Sequence, residues 1–260
     1  MNISTPYTDY VKTISEDSYK LICIPCAGAG ASFYINWQKA IGSGVDILPV
    51  ALPGREKRLG EELIHDCFQA ADEIADALLP YVRNGNFSVF GHSMGGIIAY
   101  ETAKSFLRHG VSPDICFISS TSIEDWSGVT PSEELDDNEF FRRVSQFGGI
   151  DESSELIRYP EFRNIFMKIL RADFGIIESY KYDSKKLRCP AVCLCGDSDP
   201  METIENMRSW KNYVEDENVV YLKYNGDHFY LNKQLEIVCR DIREMICVNR
   251  TKRRDLHGIR

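Results

Sequence analysis

The chain has 260 residues, 43% of them hydrophobic and 27% charged, with a formal net charge of −9 at pH 7. That is enough chain to bury one large core, and the acidic balance argues against nucleic acid as a partner. No apolar stretch nears the length of a membrane span, and Met1-Asn2-Ile3-Ser4-Thr5-Pro6 lacks a signal peptide's basic and apolar regions, so a cytoplasmic protein with no membrane contact is expected.

The first core strand is expected at 20–24, where Lys20-Leu21-Ile22-Cys23-Ile24-Pro25 runs into Cys26-Ala27-Gly28-Ala29-Gly30. Small residues after a strand let backbone approach a ligand closely. The N–H of Ala27 is the candidate for one donor of an oxyanion hole. A dinucleotide loop is a poor fit, because position 33, where G-x-G-x-x-G needs its third glycine, is Phe33. Cys23 and Cys26 share the spacing of a redox pair, yet such a pair sits at a helix N-terminus and Cys23 should still be in the strand. The nine cysteines, an odd number and mostly in apolar contexts, read as reduced buried thiols.

A helical stretch near 31–42, a strand at 45–51 and a helix over 66–82 lead to a strand at 86–90. Directly after it stands Gly91-His92-Ser93-Met94-Gly95. G-x-S-x-G between a strand and a helix is the nucleophile elbow, a turn so tight that only glycine fits beside the serine. It makes Ser93 the candidate nucleophile and the N–H of Met94 the second oxyanion donor. A helix over 94–108 and a strand at 114–119 follow.

The alternation then breaks between about 126 and 185. Phe140, Phe141, Val144 and Phe147 fall at helical spacing, as do Phe162, Ile165, Phe166, Ile169, Leu170, Phe174 and Ile177. Two or three helices here are expected to form a lid over the nucleophile. Part of the stripe packs on the sheet, and part, with Phe140, Phe141, Phe147, Phe166 and Phe174 as candidates, lines a pocket for an acyl chain.

The strand at 190–195 ends in Gly196-Asp197-Ser198-Asp199-Pro200. Both Asp197 and Asp199 compete as the acid that orients a catalytic base. Asp199, farther past the strand end, has more freedom to reach a histidine, which leaves Asp197 as a loop cap. A helical stretch at 203–213 and a strand at 217–224 come next. Of the five histidines, His228 alone follows a late strand, so it is the candidate base in the chain order Ser, Asp, His. A helix over 230–247 completes a single domain spanning 1–247, and 248–260, with Arg250, Lys252, Arg253 and Arg254, reads as a disordered basic tail. Strands alternating with helices imply a mostly parallel central sheet covered on both faces, with the helical lid inserted: an α/β-hydrolase fold.

Several of these segments together resemble the stand-alone type II thioesterases that accompany nonribosomal peptide and polyketide synthases. The resemblance runs from about Lys20 to about Ile246. It lies in Pro25-Cys26-Ala27-Gly28 followed by Trp37, Pro53-Gly54-Arg55-Glu56-Lys57-Arg58, and Gly91 to Gly96. It continues in Arg171-Ala172-Asp173 with Tyr180, Gly196 to Pro200, and Asp227-His228-Phe229. Cys26, where a histidine or other polar residue is usual, and Ala29, where a second glycine is common, depart from the pattern.

The resemblance implies hydrolysis of acyl or peptidyl thioesters from the phosphopantetheine arm of carrier proteins, to clear misprimed or stalled groups; a monomer is expected. No cofactor is implied, since the phosphopantetheine belongs to the substrate, and no metal-ligand spacing appears. Carrier proteins are typically acidic, so docking needs local basic charge. Arg142, Arg143, Arg158, Arg163 and Lys168 are candidates, as are Arg55, Lys57 and Arg58, although Arg55 and Arg58 could equally pair with Glu56 or Glu61. The rival readings are a medium-chain fatty-acyl thioesterase or carboxylesterase with the same triad, and a non-catalytic synthase accessory protein.

Overall fold

The computed structural model describes residues 1–8, 10–11, 13–84, 86–123, 130–146, 159–215 and 219–257, of which 253–257 by backbone alone. Six strands form one sheet: β1 (Tyr19–Ile24), β2 (Val45–Pro49), β3 (Phe87–His92), β4 (Cys116–Ser119), β5 (Ala191–Gly196) and β6 (Val219–Tyr224). Their order is β2-β1-β3-β4-β5-β6, and every neighbouring pair is parallel, with Tyr19 opposite Val45, Phe90 opposite Phe117 and Cys193 opposite Tyr221. Strands β1, β3, β4 and β5 are buried at every position, which is why their sequences read as unbroken apolar runs. Edge strand β6 is covered only in part, and its charged and aromatic residues reflect that.

Helices α1 (Trp37–Ile41), α2 (Cys67–Val82) and α3 (Met94–Arg108) follow β1, β2 and β3. In α2, Asp66 caps the first turn by accepting the Gln69 N–H at 2.7 Å, and Ala70, Ala71, Ile74, Ala75, Leu78 and Val82 make one buried stripe. Helices α2 and α3 pack on one face of the sheet. On the other lie α1 and the last helix, α8 (Leu235–His257), through Trp37, Ile41, Val238, Ile242 and Ile246.

Between β4 and β5 stand α4 (Asp137–Ser145) and α5 (Pro160–Ser179), and no strand occurs among the described residues of that insertion. A capping box of Asp136 with Glu139 starts α4, and Pro160 starts α5. Phe140, Val144, Met167, Leu170 and Phe174 give the two helices a small core of their own.

The structure departs from the sequence reading in four places. The stretch expected as one helix at 31–42 is a 3-10 turn, Ala31–Tyr34, followed by α1. Its first amides are held by Glu56 and its Tyr34 hydroxyl donates to Ile24 O at 2.7 Å, which stops the turn from propagating. At 203–213 a short helix α6 (Ile204–Met207) gives way to a 3-10 turn, and at 230–247 a short helix α7 (Tyr230–Lys233) stops before Leu235, where α8 begins. Finally, the basic segment expected to be a disordered tail is helical through His257. Adding residues to an existing helix is easy, Lys and Arg are good helix formers, and the segment is anchored where Asn249 donates to Asp114 O (3.0 Å) and Arg250 lies over the Tyr19 ring.

Candidate active site

Strand β1 has β2 on one side and β3 on the other, so the chain reverses its direction of winding at this pair. In open parallel sheets that switch point leaves a crevice at the strands' carboxyl ends. The loop after β1 and the turn after β3 both open there. A cavity of about 400 Å³ occupies it, lined by Cys26, Ala27, Ser93, Met94 and His228, with Phe166, Leu170, Phe174 and Ile177 of α5 forming its apolar side.

Ser93 stands between β3 and α3 at φ 55°, ψ −124°, a backbone state costly for any residue with a side chain. The neighbours make it possible. A Cβ on Gly91 would lie 1.8 Å from Gly95 O, and one on Gly95 would lie 2.3 Å from Ile24 O, so the elbow closes only with glycine at both positions. The Ser93 N–H is anchored on Ser119 O of β4 at 2.8 Å. Met94 opens α3, so its N–H belongs to the first-turn amides that have no acceptor within the helix.

Past β6, a loop with Gly226 at φ 137° carries His228, which is buried. Its Nδ1 lies 2.9 Å from Asp199 Oδ2. The other oxygen of Asp199 accepts the N–H groups of Met201 (3.0 Å) and Glu202 (3.1 Å), so the carboxylate is fixed from both sides. Burial alone would raise its pKa. The hydrogen bond to His228 and the electrostatic interaction with its ring, with the two amides, outweigh that and hold the carboxyl below the ordinary aspartate value. Asp197, the competing acid, accepts the Gly226 N–H at 3.0 Å and does not reach the histidine ring.

His92 points into the core behind this histidine. Its ring centre lies 5.1 Å from that of His228, and its Nδ1 is 2.9 Å from Ser119 Oγ, which is 2.8 Å from the Tyr230 hydroxyl. Burial and the neighbouring His228 push its pKa well below the usual histidine value, so it is neutral at pH 7. The elbow motif reveals this residue's place in sequence but not its position behind the candidate base.

The lid aromatics divide. Phe166 and Phe174 line the cavity; Phe140 is fully buried beneath them, edge-on to Phe174 at 5.2 Å; Phe141 lies beside Arg163 outside the cavity lining; and Phe147 lies outside the described residues. The basic candidates divide too. Arg58 is buried and pairs with Glu61, its Nη1 donating to Ala51 O at 2.7 Å, and Arg55 is buried against Asp173, so neither offers charge to a partner. Arg142, Lys168 and Lys57 are exposed, Arg143 pairs with Glu178, Arg163 is half-buried, and Arg158 lies outside the described residues. Cys23 and Cys26 are buried free thiols, and burial with the nearby Asp173 pushes Cys26 up to about 12, the opposite of a redox-active cysteine. Among the described residues no cluster could hold a metal ion, and no helix is long and apolar enough to cross a membrane.

Residues 19–246 match the thioesterase domain family. The chain belongs to the thioesterase family. It is 30% identical over 233 residues to thioesterase PikA5 of Streptomyces venezuelae, covering 89% of this chain and 82% of that protein. To the medium-chain S-acyl fatty acid synthase thioesterase of Rattus norvegicus it is 32% identical, over 83% and 82% of the two chains. Among solved structures it is similar to YbtT, a type II thioesterase from the yersiniabactin NRPS/PKS biosynthetic pathway, at 28% identity with a TM-score of 0.78 over 90% and 94% of the chains. This thioesterase therefore has the α/β-hydrolase fold, and it is a hydrolase.

Proposed function

We propose that this thioesterase removes acyl or peptidyl groups from the phosphopantetheine arm of carrier proteins in nonribosomal peptide or polyketide synthesis, and so restores misprimed or stalled carriers. The observation that carries the reading is the cavity at the switch point, where the strained Ser93 and the Asp199-bound His228 share one apolar chamber. The likeness to YbtT, a type II thioesterase from an NRPS/PKS biosynthetic pathway, supports its direction.

In this reading Ser93 Oγ attacks the thioester carbonyl while Nε2 of His228 takes the hydroxyl proton. The N–H groups of Ala27 and Met94 hold the negative oxygen of the tetrahedral intermediate. The C–S bond breaks, the pantetheine sulfur leaves with the proton held by His228, and an acyl-serine remains. Water then attacks that ester, giving its proton to His228, and the acid departs as Ser93 recovers its hydrogen. Asp199 keeps Nδ1–H of the ring directed at itself, which leaves Nε2 free for both transfers.

A second reading, hydrolysis of medium-chain fatty-acyl thioesters, is favoured by the apolar face of Phe166, Leu170, Phe174 and Ile177 and by the rat relative. Deacylation of an acetyl-carrier and of a decanoyl-carrier by wild type and by Ser93→Ala, beside acyl-CoA and p-nitrophenyl acetate, separates the two. Serine-dependent turnover that prefers short acyl groups on the carrier supports the editing role. A preference for decanoyl transfers the assignment to the second reading, and preference for the free ester overturns both.

A further inference from the structure

Three residues from distant parts of the chain meet behind the turn that follows β1. Asp173, one turn along α5 from the cavity-lining Leu170, is fully buried at 0% exposure, and Arg55 is 5% exposed. The carboxylate of Asp173 accepts Nη2–H of Arg55 on Oδ1 at 2.7 Å. On Oδ2 it accepts both Nη1–H of Arg55 and the backbone N–H of Gly28, each at 2.7 Å. The second hydrogen of Nη1 goes to Ala29 O at 3.1 Å. One bidentate pair thus holds a backbone donor and a backbone acceptor of the same turn.

That turn carries Ala27. It spans Cys26–Ala29 and is closed by the Ala29 N–H donating to Cys26 O at 3.1 Å, with Gly28 at φ +75° in the third position, where a type II turn requires glycine. A side chain at Gly28 would also strike Leu170, 2.8 Å from the site of a Cβ. The Cys26 carbonyl and the Ala27 N–H share one trans peptide plane and point in opposite directions. Turning that carbonyl inward toward Ala29 directs the Ala27 N–H away from the interior of the turn, and all four residues of the turn line the cavity. Cys26 is buried and Ala27 packs against two apolar clusters, while the backbone polar groups of the turn's far half are gripped at Gly28 and Ala29. Beyond it, Glu56 takes the N–H groups of Ala31 (3.0 Å) and Ser32 (3.1 Å) and fixes the exit.

We propose that Arg55 and Asp173 are positioning residues for the hydrolysis: the pair holds the Cys26–Ala29 turn so that the Ala27 N–H meets the developing oxyanion, and because Asp173 belongs to α5, the seating of the lid helix sets the oxyanion geometry. The inference rests on Ala27 as an oxyanion donor, part of the function proposed above. It makes the acyl-binding wall and the catalytic donor a single mechanical unit.

The test compares Asp173→Asn and Arg55→Lys with Arg58→Lys, a buried neighbour that does not touch the turn. Each is assayed with a carrier thioester and with p-nitrophenyl butyrate, and for inhibition by an alkylboronic acid, whose serine adduct carries a tetrahedral oxygen. Asp173→Asn is expected to lower kcat about 10- to 100-fold with KM within about twofold, because a donor moved by an ångström loses most of its effect. The boronate inhibition constant should rise by a similar factor, as a group acting on the transition state requires. Arg58→Lys should leave both near wild type. An unchanged kcat in Asp173→Asn, a rise in KM alone, a kcat loss without weaker boronate binding, or an equal loss in Arg58→Lys would each overturn the proposal. Should Asp173→Asn fail to fold, Arg55→Lys carries the same comparison with the charge retained. Wild type that hydrolyses the ester but not the carrier thioester defeats the carrier reading and leaves the ester and boronate comparison to decide this one. Wild type inert to both substrates and without affinity for the boronate overturns both.

Discussion

Two buried ion pairs of similar depth, one beside the turn after β1 and one on the elbow helix itself, have different uses. Arg55 and Asp173 are 5% and 0% exposed, and Lys104 and Glu101 are 5% and 1% exposed. In the first pair every oxygen of the carboxylate is engaged, and one of its bonds goes to the backbone beside a candidate catalytic donor. In the second, Glu101 Oε1 takes Lys104 at 2.9 Å and the Tyr180 hydroxyl at 2.6 Å, Lys104 also reaches Asp183 at 2.6 Å, and Oε2 has no hydrogen-bond partner among the described residues. That cluster ties α3 to the end of α5, away from the cavity lining. Burial and charge therefore do not mark function in this molecule; the backbone group a pair holds does.

Substitutions can break or sharpen the contrast. The largest effect belongs to Asp199, the carboxylate that touches the proposed base His228. Asp199→Asn is expected to cut kcat by ~10³–10⁴ by analogy with serine-protease triads, measured as deacylation of a carrier thioester with the fold checked by circular dichroism. Next comes Asp173→Asn at about 10- to 100-fold, one step removed from the reacting atoms. Glu101→Gln should leave kcat within about twofold, since nothing in its cluster lines the cavity; a larger loss would erase the distinction between the two pairs.

The two carboxylates also predict opposite pH dependences of stability. The pKa of Asp199 is lowered by folding, so its contribution is present above the ordinary aspartate value of about 3.9 and is lost as pH falls through the lower folded value. Burial raises that of Glu101, against the hydrogen bonds of Tyr180 and Lys104. Its folded state is therefore weakened as pH rises from the ordinary glutamate value of about 4.3 through the raised one. Urea-unfolding midpoints between pH 3 and pH 8 should show Glu101→Gln flattening that rising-pH loss and Asp199→Asn flattening the acid limb. Identical profiles for the two variants would contradict the assignment.

What could be read in sequence follows from how local each cause is. The strands of the sheet interior were legible because helices on both faces force their residues to be apolar. The elbow was legible because two glycines are demanded by contacts of 1.8 and 2.3 Å that any Cβ would violate. Asp199 could be separated from Asp197 only by reach, which the sequence states weakly. The partner of Arg55 was not legible: Glu56 is adjacent, whereas Asp173 lies 118 residues away and on the lid. Periodicity reports which face of a helix is buried, not which distant charge meets it, and the same blindness placed Phe140 in the pocket when it supports the pocket wall. In the basic tail, charge suggests disorder, whereas a helix already in progress continues through His257.

Cys26 leaves a thiol in the lining of a chamber proposed to handle thioesters. A cysteine thiolate there could capture the acyl group by thiol exchange, a nearly balanced reaction that would park the cargo on the wrong atom. With its thiol pushed up to about 12, only on the order of one molecule in 10⁵ carries the thiolate at pH 7. Incubating Ser93→Ala, with the exposed Cys247 also replaced by serine, with an activated acyl thioester should accordingly leave Cys26 unacylated in peptide mass mapping at neutral pH. The buried thiol that opens the proposed oxyanion turn thus acts as a chemically mute filler, and the chamber keeps one address for the acyl group.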